Sequence, residues 1–313
     1  MLKESQSITK AGLIILFLCI LGASGFFAYK YNSKSASAVT VSTPYVWITH
    51  NIWVSDGTSS VKKLSLAGNV LGTYTVGAGS YGVAIDASGN VWITNAGDFT
   101  NTNANTVTKL DSSGNVLGTY PAGGLPTGVA IDASGNVWVA NTGGDAVTKL
   151  SSTGSILGVY SVGISRPIGI AIDGSGNVWV ANNGGKTVTK LSPTGSVLGT
   201  YAVGISPYGI AVDGGGNVWV ANGISNNVTK LSPTGSVLGT YAVGDSPFGI
   251  AVDASGNIWV ANTGSNNVTK LSSSGSVLGT YAVGRQPVGI AVDDSGNIWV
   301  ANRGSNNVTK LSS

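Results

Sequence analysis

Gly249-Ile-Ala-Val-Asp-Ala-Ser-Gly-Asn-Ile-Trp-Val-Ala-Asn262, running on through Asn267-Val-Thr-Lys-Leu271 to Gly275-Ser-Val-Leu-Gly-Thr-Tyr281, recurs along most of the chain with a period of about 40 residues. Four short apolar segments make up the unit: Gly249 to Val252, Ile258 to Ala261, Val268 to Leu271 and Val277 to Tyr281. Each is bounded by Gly, Asn, Ser or Pro and none carries a helical period, so each reads as a strand. A repeat of this length with four strands, here lettered A to D, is one blade of a β-propeller. Trp53, Trp92, Trp138, Trp179, Trp219, Trp259 and Trp299 mark the copies. They predict an all-β, seven-bladed propeller of four-stranded blades.

The two ends of the array are out of phase. The last copy stops at Leu311-Ser-Ser313, after its strand C, while Val39-Thr-Val-Ser-Thr-Pro44-Tyr45 aligns with Tyr241-Ala-Val-Gly-Asp-Ser-Pro247-Phe248. Residues around Val39 to Ser42 therefore supply a spare strand D ahead of the first strand A. Pairing it with the last blade closes the ring and hides two sheet edges.

Residues 1–11 form a short polar tail and residues 12–29 an uncharged apolar run of 18 residues, with 30–38 a linker to the propeller at 39–313. The run is just long enough to cross a bilayer as one hydrophobic helix. Lys3 and Lys10 before it balance Lys30 and Lys34 after it, which leaves its orientation open. A cleaved signal peptide, with Ala36-Ser-Ala38 as the processing site, is the rival to a retained anchor. Either way the propeller is expected outside the cytoplasm, on the membrane or secreted. From Val39 onward nine Lys and three Arg face twelve Asp, so the repeat region is neutral and lacks the basic footprint of a nucleic-acid binder. Cys19, the only cysteine, lies in the apolar run, which removes disulfide and thiolate chemistry from the folded domain.

The pattern Pro-x-Gly-Ile-Ala-Val-Asp-x-x-Gly-Asn-(Ile/Val)-Trp-Val-Ala-Asn resembles NHL-type repeats, and most of all those of the virginiamycin B lyase (streptogramin lyase) group. The resemblance covers Val39 to Ser313 and implies the seven-bladed fold. It also implies a metal-assisted elimination carried by His and Glu side chains around the propeller axis. This chain departs from that requirement: its one His is His50, in the turn between strands A and B of blade one, and its one Glu is Glu4. Elimination needs a tunable general base, and neither residue is placed to act as one. A zinc site of several His ligands is excluded on the same ground.

Residues that recur from blade to blade read as scaffold. Asp86, Asp132, Asp173, Asp213, Asp253 and Asp293 end the A strands. They form turns of Asp-x-x-Gly-Asn type in which the carboxylate caps turn amides. A ring of them holding a divalent cation in the channel is the alternative; otherwise no cofactor and no metal site is expected. Lys63, Lys109, Lys149, Lys190, Lys230, Lys270 and Lys310 are expected to be solvated strand positions with packed stems. Asn95, Asn141, Asn182, Asn222, Asn262 and Asn302 are expected to be turn formers.

Function is sought where the copies differ. The D-to-A and B-to-C connections share one face of a propeller and vary from blade to blade, whereas the A-to-B and C-to-D turns on the other face hardly change. All three arginines fall on the variable face: Arg166, Arg285 and Arg303. With Phe248 and Tyr45 they suggest an aromatic and cationic pocket for a carboxylate, phosphate or sugar, and Tyr81 and Tyr208 extend its rim. The sequence reading is a binding module, monomeric, for a glycan, small molecule or protein, without catalytic residues. A lyase-like or lactone-hydrolysing enzyme is the alternative, and a rigid spacer of recently amplified repeats is a third.

Overall fold

A computed structural model describes residues 51–312 apart from 56, 98–104, 162 and 164. The apolar run, the linker, the spare strand, Tyr45 and His50 lie outside the described residues. Twenty-six strands form seven antiparallel sheets, five of four strands and two, at the ends of the array, of three. Blade five shows the plan: β16 (Pro207–Val212), β17 (Val218–Asn222), β18 (Asn227–Leu231) and β19 (Val237–Ala242) are strands A to D in spatial order. Blade one contributes β1 (Asn51–Ser55), β2 (Ser60–Ser65) and β3 (Val70–Thr75), which are its strands B, C and D. Blade seven contributes β24 (Pro287–Val292), β25 (Ile298–Asn302) and β26 (Asn307–Leu311), its strands A, B and C. The expected fold is borne out, with the strands one or two residues longer than the apolar runs alone suggested.

Why each blade sits flat against the next is visible in the burial pattern. Strand B is buried at every residue, as a strand covered on both faces must be, while strand D alternates and faces outward. Ala171, Trp179, Ala181 and Val188 of blade four interdigitate with Ile210, Val212, Val218, Val220 and Leu231 of blade five, and the same contact repeats around the ring. In blades one to six the indole also lies against the tyrosine of its own strand D, as Trp179 does against Tyr201 with centroids 5.6 Å apart.

Blade seven meets blade one. Ala291 and Trp299 pack on Ile52, Val54 and Leu64, and Lys310 donates a hydrogen bond of 2.9 Å to the Leu66 carbonyl. The ring is therefore closed by packing among the described residues, whatever completes the sheet of blade seven.

At the axis the A strands come so close that only glycine fits at their third position. A Cβ on Gly82, Gly128, Gly169, Gly209 or Gly249 would run into the carbonyl oxygen of the residue before the equivalent glycine in the next blade: Thr127, Ile168, Tyr208, Phe248 or Val288.

Candidate functional site

The invariant aspartates are committed to their own hairpins. Asp173 Oδ1 accepts hydrogen bonds from the backbone N–H groups of Ser175 and Asn177, both 2.9 Å, and Oδ2 accepts from Asn177 Nδ2 at 3.0 Å and Trp179 Nε1 at 3.0 Å. Gly176 supplies the left-handed residue that the turn needs, with φ of +79°. Burial works to raise the Asp173 pKa, and the bonds from Trp179 and Asn177 outweigh it, holding the carboxyl below the ordinary carboxylate range. The carboxylates are thus turned into separate turns, one in each of blades two to seven.

The lysine stems pack as expected, but most of the ammonium groups are partly covered and engaged rather than freely solvated, Lys310 being the exposed one. Trp219 and Lys230 are direct cross-strand partners, so the ammonium lies 4.8 Å from the indole centroid. Lys190 sits over Trp179 in the same way, 3.6 Å from Asp173 Oδ2, with its side chain 13% exposed. Successive ammonium groups then reach the C-to-D turn of the following blade: Lys149 donates to the Pro193 carbonyl, Lys190 to Pro233 and Lys230 to Ser273, at 2.7–2.8 Å. The lysine is a staple between blades, and its stem covers the tryptophan. The asparagines are also more than turn formers. Asn222 is fully buried and its Nδ2 donates to Asn227 Oδ1 at 2.8 Å and Thr229 Oγ1 at 2.9 Å, fastening strand B to strand C.

On the variable face the side chains differ but the loop backbones interlock by one rule. In blades five, six and seven a serine of the B-to-C loop accepts from the D-to-A loop entering its own blade: Ser225 from Ile205 N–H at 2.8 Å, Ser265 from Asp245 N–H at 2.6 Å, Ser305 from Arg285 N–H at 2.6 Å. The neighbouring asparagine accepts from the next loop along, Asn226 from Ser246 N–H at 2.8 Å and Asn266 from Gln286 N–H at 2.7 Å. Ser246 and Gln286 are held in the left-handed region with φ of +52° and +51°. The sequence reading missed this clamp, although Ser-Asn recurs at 225–226, 265–266 and 305–306.

The second residue of each A strand points to the axis. Ile168, Tyr208, Phe248 and Val288 form a buried apolar cluster with Tyr81 packed against it, and the Tyr208 and Phe248 rings stack with centroids 4.5 Å apart. Thr127 occupies the same position in blade three, its hydroxyl 2.8 Å from that of Thr142. Tyr208, expected on the rim, therefore joins Phe248 in a floor at the mouth of the channel, because close approach of the A strands leaves them no room to stand apart.

Arg285 and Arg303 are brought together. Their loops are joined by bonds of 2.9 Å from Arg303 N–H to the Gln286 carbonyl and from Gly304 N–H to the Arg285 carbonyl. Both belong to the mouth of blade seven, beside Val288 of the axial cluster; Arg285 is exposed and Arg303 half-buried. Arg166 is separated from them. It enters blade four, three blades away, where its backbone N–H donates to Asp145 Oδ1 at 2.7 Å. Among the described residues there is no His, no Glu and no cluster of three or more potential metal-binding side chains. What the arrangement offers is an aromatic floor, guanidinium donors and fixed loops.

The fold and site define a closed seven-bladed propeller with a scaffold face and a variable face. The chain belongs to the virginiamycin B lyase family, whose model matches residues 26–237, and an NHL repeat matches residues 285–311. A streptogramin B lyase structure superposes with a TM-score of 0.76 at 19% identity, covering 90% of this chain and 99% of that one. A catalytically inactive virginiamycin B lyase from Staphylococcus aureus, solved with quinupristin, gives 0.77 at 18% identity over 91% and 97%. Hydrazine synthase of Kuenenia stuttgartiensis gives 0.75 at 16% identity over 84% and 92%. No curated protein matched.

Proposed function

We propose that this propeller is a recognition module that binds an anionic or polar ligand, glycan or protein segment on its variable face. The observation that carries this reading is the pairing of Arg285 and Arg303 on interlocked loops next to the Tyr208–Phe248 floor. Fixed loops cost little ordering entropy on binding, and guanidinium groups favour carboxylate or phosphate. With residues 12–29 as an anchor or leader, the module works outside the cytoplasm.

The test is a glycan and metabolite panel with the wild type and the Arg285→Ala/Arg303→Ala double variant. Binding weakened at least tenfold with an unchanged thermal transition supports the reading; equal binding removes this site. Family membership favours a second reading, a lyase acting on a cyclic depsipeptide. Quinupristin, present in one similar structure, is the natural probe. Because His50 and Glu4 are the only such residues in the chain, the recognition reading predicts no turnover.

A further inference from the structure

Blades five, six and seven are near-copies, and their D-to-A loops are held alike: Ile205, Asp245 and Arg285 each donate a backbone N–H to the serine of their own B-to-C loop. The three occupy one position of the repeat, and all are exposed. Blade five differs from its neighbours in a second way. Where blades two, three, four, six and seven carry Gly97, Gly143, Gly184, Gly264 and Gly304 in the B-to-C loop, blade five carries Ile224, its glycine moved one place back to Gly223. The exchange has two consequences. A Cβ on Gly223 would lie 2.6 Å from Tyr208 Cε2, so glycine there lets the Tyr208 ring lie back onto Phe248. A Cβ on Gly264 would come 2.9 Å from Asp245 Cβ, and one on Gly304 3.1 Å from Arg285 Cβ. In blade five the loops spread to admit one, the bond from Ile224 N–H to the Ile205 carbonyl being 3.2 Å against 2.9 Å for Gly264 and Gly304. Among the described residues, Ile205 and Ile224, 39% and 62% exposed, are the exposed large aliphatic side chains that lie outside the D strands.

We propose that Ile205 with Ile224, Asp245, and Arg285 are three successive subsites, aliphatic, acidic and basic, that read an extended peptide segment carrying an aliphatic, a basic and an acidic side chain in that order. This deepens the recognition reading above and rests on it. Chemistry selects the occupant. Covering the isoleucine pair with an aliphatic group removes apolar surface from water. Asp245 favours an ammonium or guanidinium and Arg285 a carboxylate, each through a charge-assisted hydrogen bond. Arg303, on the loop bonded to that of Arg285, adds to the basic end. A ligand that meets all three subsites must extend across three consecutive blades and carry three unlike side groups, which a peptide does and a sugar chain does not. Because the same serine bond fixes each loop backbone, the subsites differ in their side chains, and their order around the ring sets the order along the ligand.

Fluorescence polarisation with the full-length chain tests the proposal. The probes are labelled Gly/Ser host peptides, acetylated and amidated, that carry Leu, Lys and Glu in this order at varied spacings, with hosts lacking one of the three as controls. Circular dichroism confirms that each variant is folded. The wild type is expected to bind at least one host that carries all three groups. Ile205→Ser/Ile224→Gly should weaken that binding by about tenfold or more. Asp245→Lys should exchange the preference, binding the host with Glu in place of Lys more tightly than the original. The charge exchange sits on an exposed side chain, so it decides the matter even where the isoleucine variant fails to fold. A wild type that binds no host, or variants that bind every host as the wild type does, overturns the proposal. The recognition reading falls on a different result, an Arg285→Ala/Arg303→Ala variant that changes nothing on the glycan and metabolite panel. Loss of panel binding in that variant, with no peptide bound by the wild type, overturns this inference and leaves the recognition reading standing.

Discussion

Replacing Asp173 with alanine isolates what one carboxylate does for a blade. The substitution removes an acceptor shared by Ser175 N–H, Asn177 N–H, Asn177 Nδ2 and Trp179 Nε1, and leaves the Lys190 ammonium 3.6 Å away without its countercharge. The two turn amides can turn to water. The indole N–H cannot, because Trp179 is fully buried between blades four and five. An unsatisfied buried donor costs about 1–3 kcal/mol, and with the lost bonds to a charged acceptor the expected destabilisation is about 2–3 kcal/mol. For a domain of this size that lowers the melting temperature by roughly 4–12 °C. Differential scanning calorimetry and urea unfolding measure it, with Asp294→Ala, an exposed carboxylate in an equivalent turn, as the control expected to stay within about 0.5 kcal/mol. The pH dependence has a fixed sign. The folded Asp173 carboxyl lies below its ordinary 3.8, so its stabilisation is complete above that value and fades as pH falls through the folded-state pKa. The gap between wild type and variant therefore narrows only in acid. A loss below about 0.5 kcal/mol at neutral pH would refute the claim that the turn carboxylate holds the indole.

Gly209→Ala should destabilise by about 1–3 kcal/mol, since its Cβ meets the Phe248 carbonyl, whereas Gly214→Ala, with nothing within 4 Å, should be neutral or stabilising by urea titration. Lys190→Met keeps the stem over Trp179 and loses the 2.8 Å bond to the Pro233 carbonyl, for a cost of about 1–2 kcal/mol in the same assay.

The period, the tryptophans and the turn residues made the fold legible, because each blade obeys local rules that repeat in sequence. Packing between blades was only partly legible. The lysine staple joins residues 43 apart, as Lys190 and Pro233 are, and nothing in the spacing of one blade announces a partner in the next. The variable face was legible as a list of positions but not as an arrangement. Arg166 and Arg285 look alike in sequence, yet ring topology sets them three blades apart, while the loops of Arg285 and Arg303, far apart in the repeat, become neighbours. Phe248 reads as part of a pocket and Tyr208 as its rim; the burial of both follows from the glycine-tight approach of the A strands.

Hydrogen–deuterium exchange with the tightest ligand of the panel tests most directly whether recognition belongs to the variable face. Protection is predicted in the D-to-A loops entering blades six and seven and the B-to-C loop of blade seven, around residues 243–247, 283–287 and 303–306, with the A-to-B turns unchanged. Protection confined to turns such as 213–217 or 232–236, on the scaffold face, would contradict the account.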